Sequence, residues 1–251
     1  MYLLVIFFLI LIIPFLVMPK HITANKKSPY EVIVISVLFI CCASVLMFMT
    51  ASMIGKGVFS QLHDFVVDIS KMAANDPMVT KALKFEDLSD GERTAMVIKV
   101  YDAALKLIPS CIVMMGTIVS YIAYIILSRS LNKRAPVKLM PKFREFTFPN
   151  GAVVGLIIMY MLSWLLTSTG TFSDNSFYVN IDVLFDFIFF IQGMSVIFML
   201  FYVKRIPKVF ALILSVFMWY IFIGRTIFVM LGMFDLILGF KARLLINNSK
   251  K

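Results

Sequence analysis

Six long apolar runs leave this chain few folds to choose from. Residues 2–18, 32–55, 107–128 and 146–173 carry no charge. Residues 175–203 are interrupted only by Asp182 and Asp186, and 209–240 only by Arg225 and Asp235. A helix rises about 1.5 Å per residue, so roughly 20 residues cross the hydrocarbon core of a bilayer. Each run is of that order, and the pattern predicts an all-α integral membrane protein. It reads as one polytopic helical bundle over residues 1–251 with five to six crossings, placed in the cell membrane as a multi-pass protein.

Composition agrees. Hydrophobic residues make up 61% of the chain and the mean hydropathy is +0.95, outside the soluble globular range. A net charge of +10 would suggest nucleic acid in a soluble protein. Here the cations sit in turns between apolar runs: Lys20, Lys26 and Lys27; then Arg129, Lys133, Arg134, Lys138, Lys142 and Arg144. Lys204, Arg205 and Lys208 follow, and Lys241, Arg243, Lys250 and Lys251 close the chain. Short basic loops are the positive-inside signature, so the expected partner is the lipid bilayer and not nucleic acid. The first run lacks a basic n-region and a small-residue cleavage site, and reads as an anchor with its N-terminus outside.

Placing the basic turns in the cytoplasm puts residues 56–106 and the short loop 170–176 outside, and makes 129–147 a basic cytoplasmic loop. The outer segment holds eight acidic and seven basic residues, so its charge does not hold it inside. It reads as helical. Val58, Leu62, Phe65, Ile69 and Met72 recur at helical spacing, as do Val97, Val100, Tyr101, Ala104 and Leu107. Asp76 before Pro77 has the form of an N-cap, and Ser89 with Glu92 has capping-box spacing. These amphipathic helices could be packed extensions of the bundle or a lid over it. The last run is too long for one simple crossing. Either it breaks at Gly224-Arg225 into two short arms that return the tail to the cytoplasm, or one helix ends near Met230.

Ionisable groups within membrane helices are costly and usually face a partner or a wet cavity. Asp182 and Asp186 lie at i and i+4, on one helix face. They sit roughly 6 and 12 Å along their helix from its outer end, and Arg225 comes to a similar level from the other direction. The matching depths predict that Arg225 pairs with one or both aspartates, as a structural clasp or as the lining of a polar pocket joined by Asn180 and Gln192. Gly151 and Gly155 form a G-x-x-x-G, read as close packing within the chain or as a dimer contact. The segment holding Arg134, Lys138, Lys142 and Arg144 reads as an interfacial elbow contacting lipid, or as a docking surface for a cytoplasmic partner.

No enzyme signature is present, and no catalytic residues are assigned. H-E-x-x-H, the P-loop spacing and G-x-S-x-G are all missing, and His21 and His63 lie far apart. Cys41, Cys42 and Cys111 show no metal-ligand or disulfide spacing and read as small packing residues, so neither metal nor cofactor is expected.

Three segments together resemble the YybS-like bacterial membrane proteins, whose shared domain is of unknown function. One is Pro141-Lys142-Phe143-Arg144-Glu145-Phe146-Thr147-Phe148-Pro149. The second is Asn180 leading to Gln192-Gly193-Met194-Ser195-Val196-Ile197. The third is Leu231-Gly232-Met233-Phe234-Asp235 with Arg243 shortly after. Members of that family usually carry further membrane helices before the position of Met1, so this chain is expected to begin partway through the shared arrangement. The family is distantly similar to the substrate-binding S components of energy-coupling-factor transporters. That likeness implies a small-solute pocket, lined here by Asn180, Asp182, Asp186, Gln192 and Arg225, and a cytoplasmic scaffold with ATPases as partner. The competing expectation is a non-transport membrane factor that scaffolds or regulates a cytoplasmic or envelope partner.

Overall fold

The computed structural model describes residues 2–54, 58–74, 76, 78, 89–148, 150–170 and 175–249. Among these the chain is helical, with no strand. It divides into two compact units, Met1–Leu139 and Met140–Lys251.

In the first unit, α1 (Tyr2–Ala24), α2 (Pro29–Ile54) and α5 (Ile108–Leu131) pack against one another. Their shared core is Ile6, Ile10, Ile40 and Ile112, and a buried Ser120–Ser36 hydroxyl hydrogen bond of 3.1 Å crosses it. Ser28 and Glu31 form a reciprocal cap that starts α2, with bonds of 3.1 and 3.3 Å. At the other end of α5, the chain is tied beneath the turn between α1 and α2. Asn25 bonds the backbone of Pro136 at 3.4 Å and of Lys138 at 3.2 Å, and Tyr124 donates to the Lys138 carbonyl at 2.8 Å. Lys26, Lys27, Lys133, Arg134 and Lys138 are thereby gathered at one exposed end. The cysteines are free thiols, and Cys42 and Cys111 lie on exposed helix faces instead of packing inside.

The loop after α2 holds α3 (Val58–Ala74) and α4 (Asp90–Lys106), which pack side by side. Glu92 accepts from the Ser89 N–H at 3.0 Å, the expected capping box. Asp76 caps Met78 N–H at 2.8 Å, while the helix expected after it lies outside the described residues. On α3 the buried stripe is rotated from the expected one, while on α4 Val97 is buried as expected. Val66, Ser70 and Val97 are buried, whereas Phe65, Met72, Val100 and Tyr101 are exposed. The cause is the pairing of α3 with α4, fixed by a 3.0 Å contact between His63 Nδ1 and Asp102 Oδ1, which turns the Val66 and Val97 faces inward.

The second unit is built around α7 (Ser176–Val203). Beside it lie a 3-10 turn (Phe143–Glu145), α6 (Asn150–Ser168), α8 (Lys208–Tyr220), α9 (Phe222–Leu238) and α10 (Phe240–Ser249). Contacts between α7 and α9 advance together: Asp186 meets Arg225, Phe189 meets Gly232 and Gln192 meets Asp235. The two helices are therefore parallel, and α8 supplies the return. α8 and α9 form a bent pair with a 117° turn at Ile221, which has extended backbone (φ −92°, ψ 121°). The last run does break into two arms, but at Ile221, just before the expected point. Gly224 serves instead to let the corner close, since a Cβ there would lie 2.5 Å from Met218 Sδ.

The α7–α9 crossing depends on two glycines. A Cβ at Gly193 would collide with the Phe228 carbonyl oxygen and lie 2.9 Å from its carbon. One at Gly232 would collide in the same way with the Phe189 carbonyl, 3.0 Å from its carbon. The backbones meet with no room for any side chain, and Phe189, Phe190, Phe228 and Val229 seal the surrounding core. A Cβ on Gly155 would have nothing within 4 Å, so the expected packing role of its G-x-x-x-G is not found at that residue.

Four of the described helices are long and apolar enough to cross a membrane: Leu4–Ala24, Pro29–Met53, Ile108–Leu131 and Ser176–Val203. The bent α8–α9 pair counts as a fifth, and Val153–Ser168 is a shorter apolar helix. The chain is an all-α multi-pass membrane protein.

Candidate functional site

Two polar clusters sit on α7, and they differ in kind. The first lies toward its N-terminal half. Arg225 Nε is 3.3 Å from Asp186 Oδ2, the pairing that matched depths anticipate. One helical turn earlier, Asp182 faces Tyr160 of α6, whose hydroxyl is 3.0 Å from that of Tyr178. Phe185 closes on Tyr160 with ring centroids 4.7 Å apart. The Arg225 side chain keeps 36% of its surface accessible and Asp186 keeps 24%, so the pair is not sealed within its unit. One carboxylate, Asp186, meets the guanidinium, while Asp182 lies one turn away against Tyr160.

The second cluster is closed. It lies at the basic end of the unit, where the 3-10 turn docks on α7: Phe143 packs edge-on to Phe198 at 5.2 Å and Arg144 lies 3.5 Å above the Tyr202 ring. This docking aims the Phe146 carbonyl inward. The Lys241 ammonium uses all three of its donors, on the Phe146 carbonyl, on Ser195 Oγ at 2.9 Å and on Asp235 Oδ2 at 3.1 Å. Asp235 also accepts from Gln192 Nε2 at 2.7 Å and from the Lys241 backbone N–H at 3.0 Å. Gln192 Oε1 in turn accepts from Phe148 N–H at 3.3 Å. Only 8% of the Lys241 side chain and 2% of Asp235 are accessible.

Local chain geometry makes this closure feasible. Gly239 ends α9 in the left-handed region (φ +62°) with its N–H on the Asp235 carbonyl at 2.8 Å. Glycine adopts that conformation without a Cβ penalty, and the reversal presents the Lys241 amide to Asp235. Burial pushes the Lys241 ammonium down from its usual range, and the hydrogen bond and charge of Asp235 oppose that shift. A buried ion pair with every donor used is costly to break from one side only.

The residues singled out from sequence therefore separate. Asp182, Asp186 and Arg225 come together. Gln192 does not join them: six residues further along α7 it faces another side and belongs to the closed cluster. Asn180 turns back on its own helix, donating to the Ser176 carbonyl at 2.8 Å. Arg134, Lys138 and Lys142 are exposed, the first two on the first unit and the third on the second. Arg144 is folded onto Tyr202 and paired with Glu145 at 3.4 Å. Sequence reasoning misses Ser195, Asp235 and Lys241 as a cluster. The available signal is that Phe146, Gln192 to Ser195, and Asp235 each fall in one of the three segments that carry the family resemblance. Among the described residues no three His, Cys, Asp or Glu side chains are grouped to hold a metal.

A multi-pass helical membrane protein whose three resemblance segments converge on one closed polar cluster is what these observations define. The chain belongs to the family described as "Predicted membrane protein (DUF2232)", which matches residues 1–236. It is similar to the "Uncharacterized protein YybS" of Bacillus subtilis (strain 168), 32% identical over 156 residues. That match covers 62% of this chain and 47% of the relative, so it spans about half the relative's length. No solved structure matches the chain.

Proposed function

We propose that this chain is a membrane-embedded small-solute binding subunit whose site is Asp182, Asp186 and Arg225, with the Tyr160 and Tyr178 hydroxyls beside them. The observation that carries the reading is a partly accessible ion pair, Arg225 to Asp186 at 3.3 Å, held between apolar helices. An ionic group at such a position favours a ligand or a wet cavity over a bare lipid face. The second carboxyl, Asp182, and the flanking rings of Tyr160 and Phe185 favour an amine-bearing solute, which gains from both carboxyl and aromatic faces. Asn180 and Gln192, engaged elsewhere, are left out of this site. On this reading the energising partner is the one expected from the sequence, a cytoplasmic scaffold with ATPases. The reading assigns binding and no catalysis.

A second reading has its own support. Arg134 and Lys138 on the first unit, and separately Lys142 on the second, are exposed, as residues that contact a cytoplasmic partner would be. Purification of the full chain in mild detergent tests both. Thermal stabilisation by members of an amine-bearing solute panel, lost in Asp186→Asn, and recovery of ATPases support solute binding. Recovery of other proteins, with no stabilisation by any solute, transfers the assignment to the second reading.

A further inference from the structure

We propose that the cleft where α7 turns into α8 binds an anionic phospholipid, with one acyl chain in the cleft and the phosphate held by Lys204, Arg205 and Lys208. The cleft is an open groove of about 490 Å³ lined only by apolar side chains: Phe201, Ile206, Phe210, Ile213, Leu214 and Phe217. Its α8 wall follows helical spacing, with residues 210, 213, 214 and 217 on one face. Val209, Leu212 and Val216 on the same helix are also exposed, so hydrocarbon is the medium around it.

The charge lies at one end of the groove. Arg205 takes a left-handed backbone (φ 59°) that folds the turn tightly, and Ile206 N–H reaches back to the Phe201 carbonyl at 2.8 Å. This sets Ile206 into the groove wall with Arg205 and Lys208 on either side of it in the chain. Lys204, Arg205 and Lys208 are all exposed, and none has a carboxylate within ion-pair distance among the described residues. Glu145, brought to this end by the docked turn, is already paired with Arg144 at 3.4 Å. Three such cations at the mouth of an apolar groove complement an anionic headgroup joined to an acyl chain. A zwitterionic lipid satisfies the groove but not the charge, and a free phosphate satisfies the charge but not the groove.

The test uses the full chain in neutral detergent micelles, titrated with phosphatidylglycerol, phosphatidylcholine or inorganic phosphate. Phosphatidylglycerol alone is expected to raise Tm, by roughly 3 °C or more at saturation. The Lys204→Gln, Arg205→Gln, Lys208→Gln triple variant loses that rise. Ile213→Trp, at a site with 59% of its surface exposed and therefore tolerant of the change, fills the groove and weakens it. Equal shifts with phosphatidylcholine, a shift with phosphate alone, or a triple variant that keeps its preference each overturn the proposal. Native mass spectrometry of the wild type and of Ile213→Trp reads the same outcome without relying on melting.

Discussion

The two polar clusters on α7 hold the same charge types and solve opposite problems. At the basic end, Lys241 and Asp235 are sealed, and every donor of the ammonium has an acceptor. Roughly 10 Å back along the helix, Arg225 and Asp186 are paired by one contact and remain partly open. A sealed, saturated network fixes one arrangement of helices and leaves nothing for a ligand to replace. An open pair held by a single contact can exchange partners. The difference teaches that ionic content alone does not distinguish the two clusters; accessibility and hydrogen-bond saturation do.

The comparison is most severely challenged at the crossing that separates the clusters. Gly193→Leu places a side chain where even a Cβ would collide with the Phe228 carbonyl. We expect a loss on the order of 3 kcal/mol or more, seen as aggregation on size-exclusion chromatography. Gly155→Ala, with nothing within 4 Å, is the control and is expected to stay within about 0.5 kcal/mol of wild type.

Next comes Asp235→Ala. It strands a buried ammonium, and the expected cost is about 3–5 kcal/mol in detergent unfolding. Pairing it with Lys241→Met removes the stranded charge and recovers most of the loss. If Asp235→Ala is neutral, the closed cluster is not sealed and the contrast between the two clusters collapses.

Arg225→Gln is expected to cost far less, about 1 kcal/mol or below, since its ion pair is partly accessible and polar contacts in membrane bundles average near that size. Solute-induced stabilisation should nonetheless disappear. A cost equal to that of Asp235→Ala identifies the Arg225 pair as a lipid-facing clasp and removes the proposed ligand site.

The smallest effect concerns the first unit. Hydrogen bonds from the Ser89 side chain and backbone hold the Glu92 carboxyl below its usual range. A carboxylate whose folded pKa is depressed contributes stability above its unfolded value and loses it as pH falls through the folded one. Protection of the first-turn amides of α4, corrected for intrinsic exchange, should therefore drop on acidification below the usual glutamate range. Glu92→Gln should flatten that dependence.

Much of the architecture is legible in the sequence because lipid imposes one rule on every crossing: an uncharged run of sufficient length becomes a helix. The Ser89–Glu92 cap is legible as a local pattern, and the Asp186–Arg225 pair as two costly charges at equal depth. The closed cluster is hidden for a physical reason. Lys241 stands among tail cations that all read as headgroup contacts, and only the parallel return of α9 brings it beneath Ser195. The break falls at Ile221 and not at the expected Gly224, because that glycine permits close approach and does not itself end the helix. The rotated stripe on α3 is equally unreadable, since Phe65 and Val66 are adjacent and only the partner helix selects between them.

The parallel course of α7 and α9 also sets an order of events during synthesis. When α7 leaves the ribosome, Asp186 has no counter-ion, because Arg225 has yet to be translated. The 13-residue α8 is too short to settle across a bilayer by itself. Until the following hairpin arrives, Asp186 burdens the inserted α7 with a cost of a few kcal/mol that Arg225 later offsets. A stop codon placed after Tyr220 should yield a product that is cleared by membrane quality control, although every residue of the longest helix is present in it.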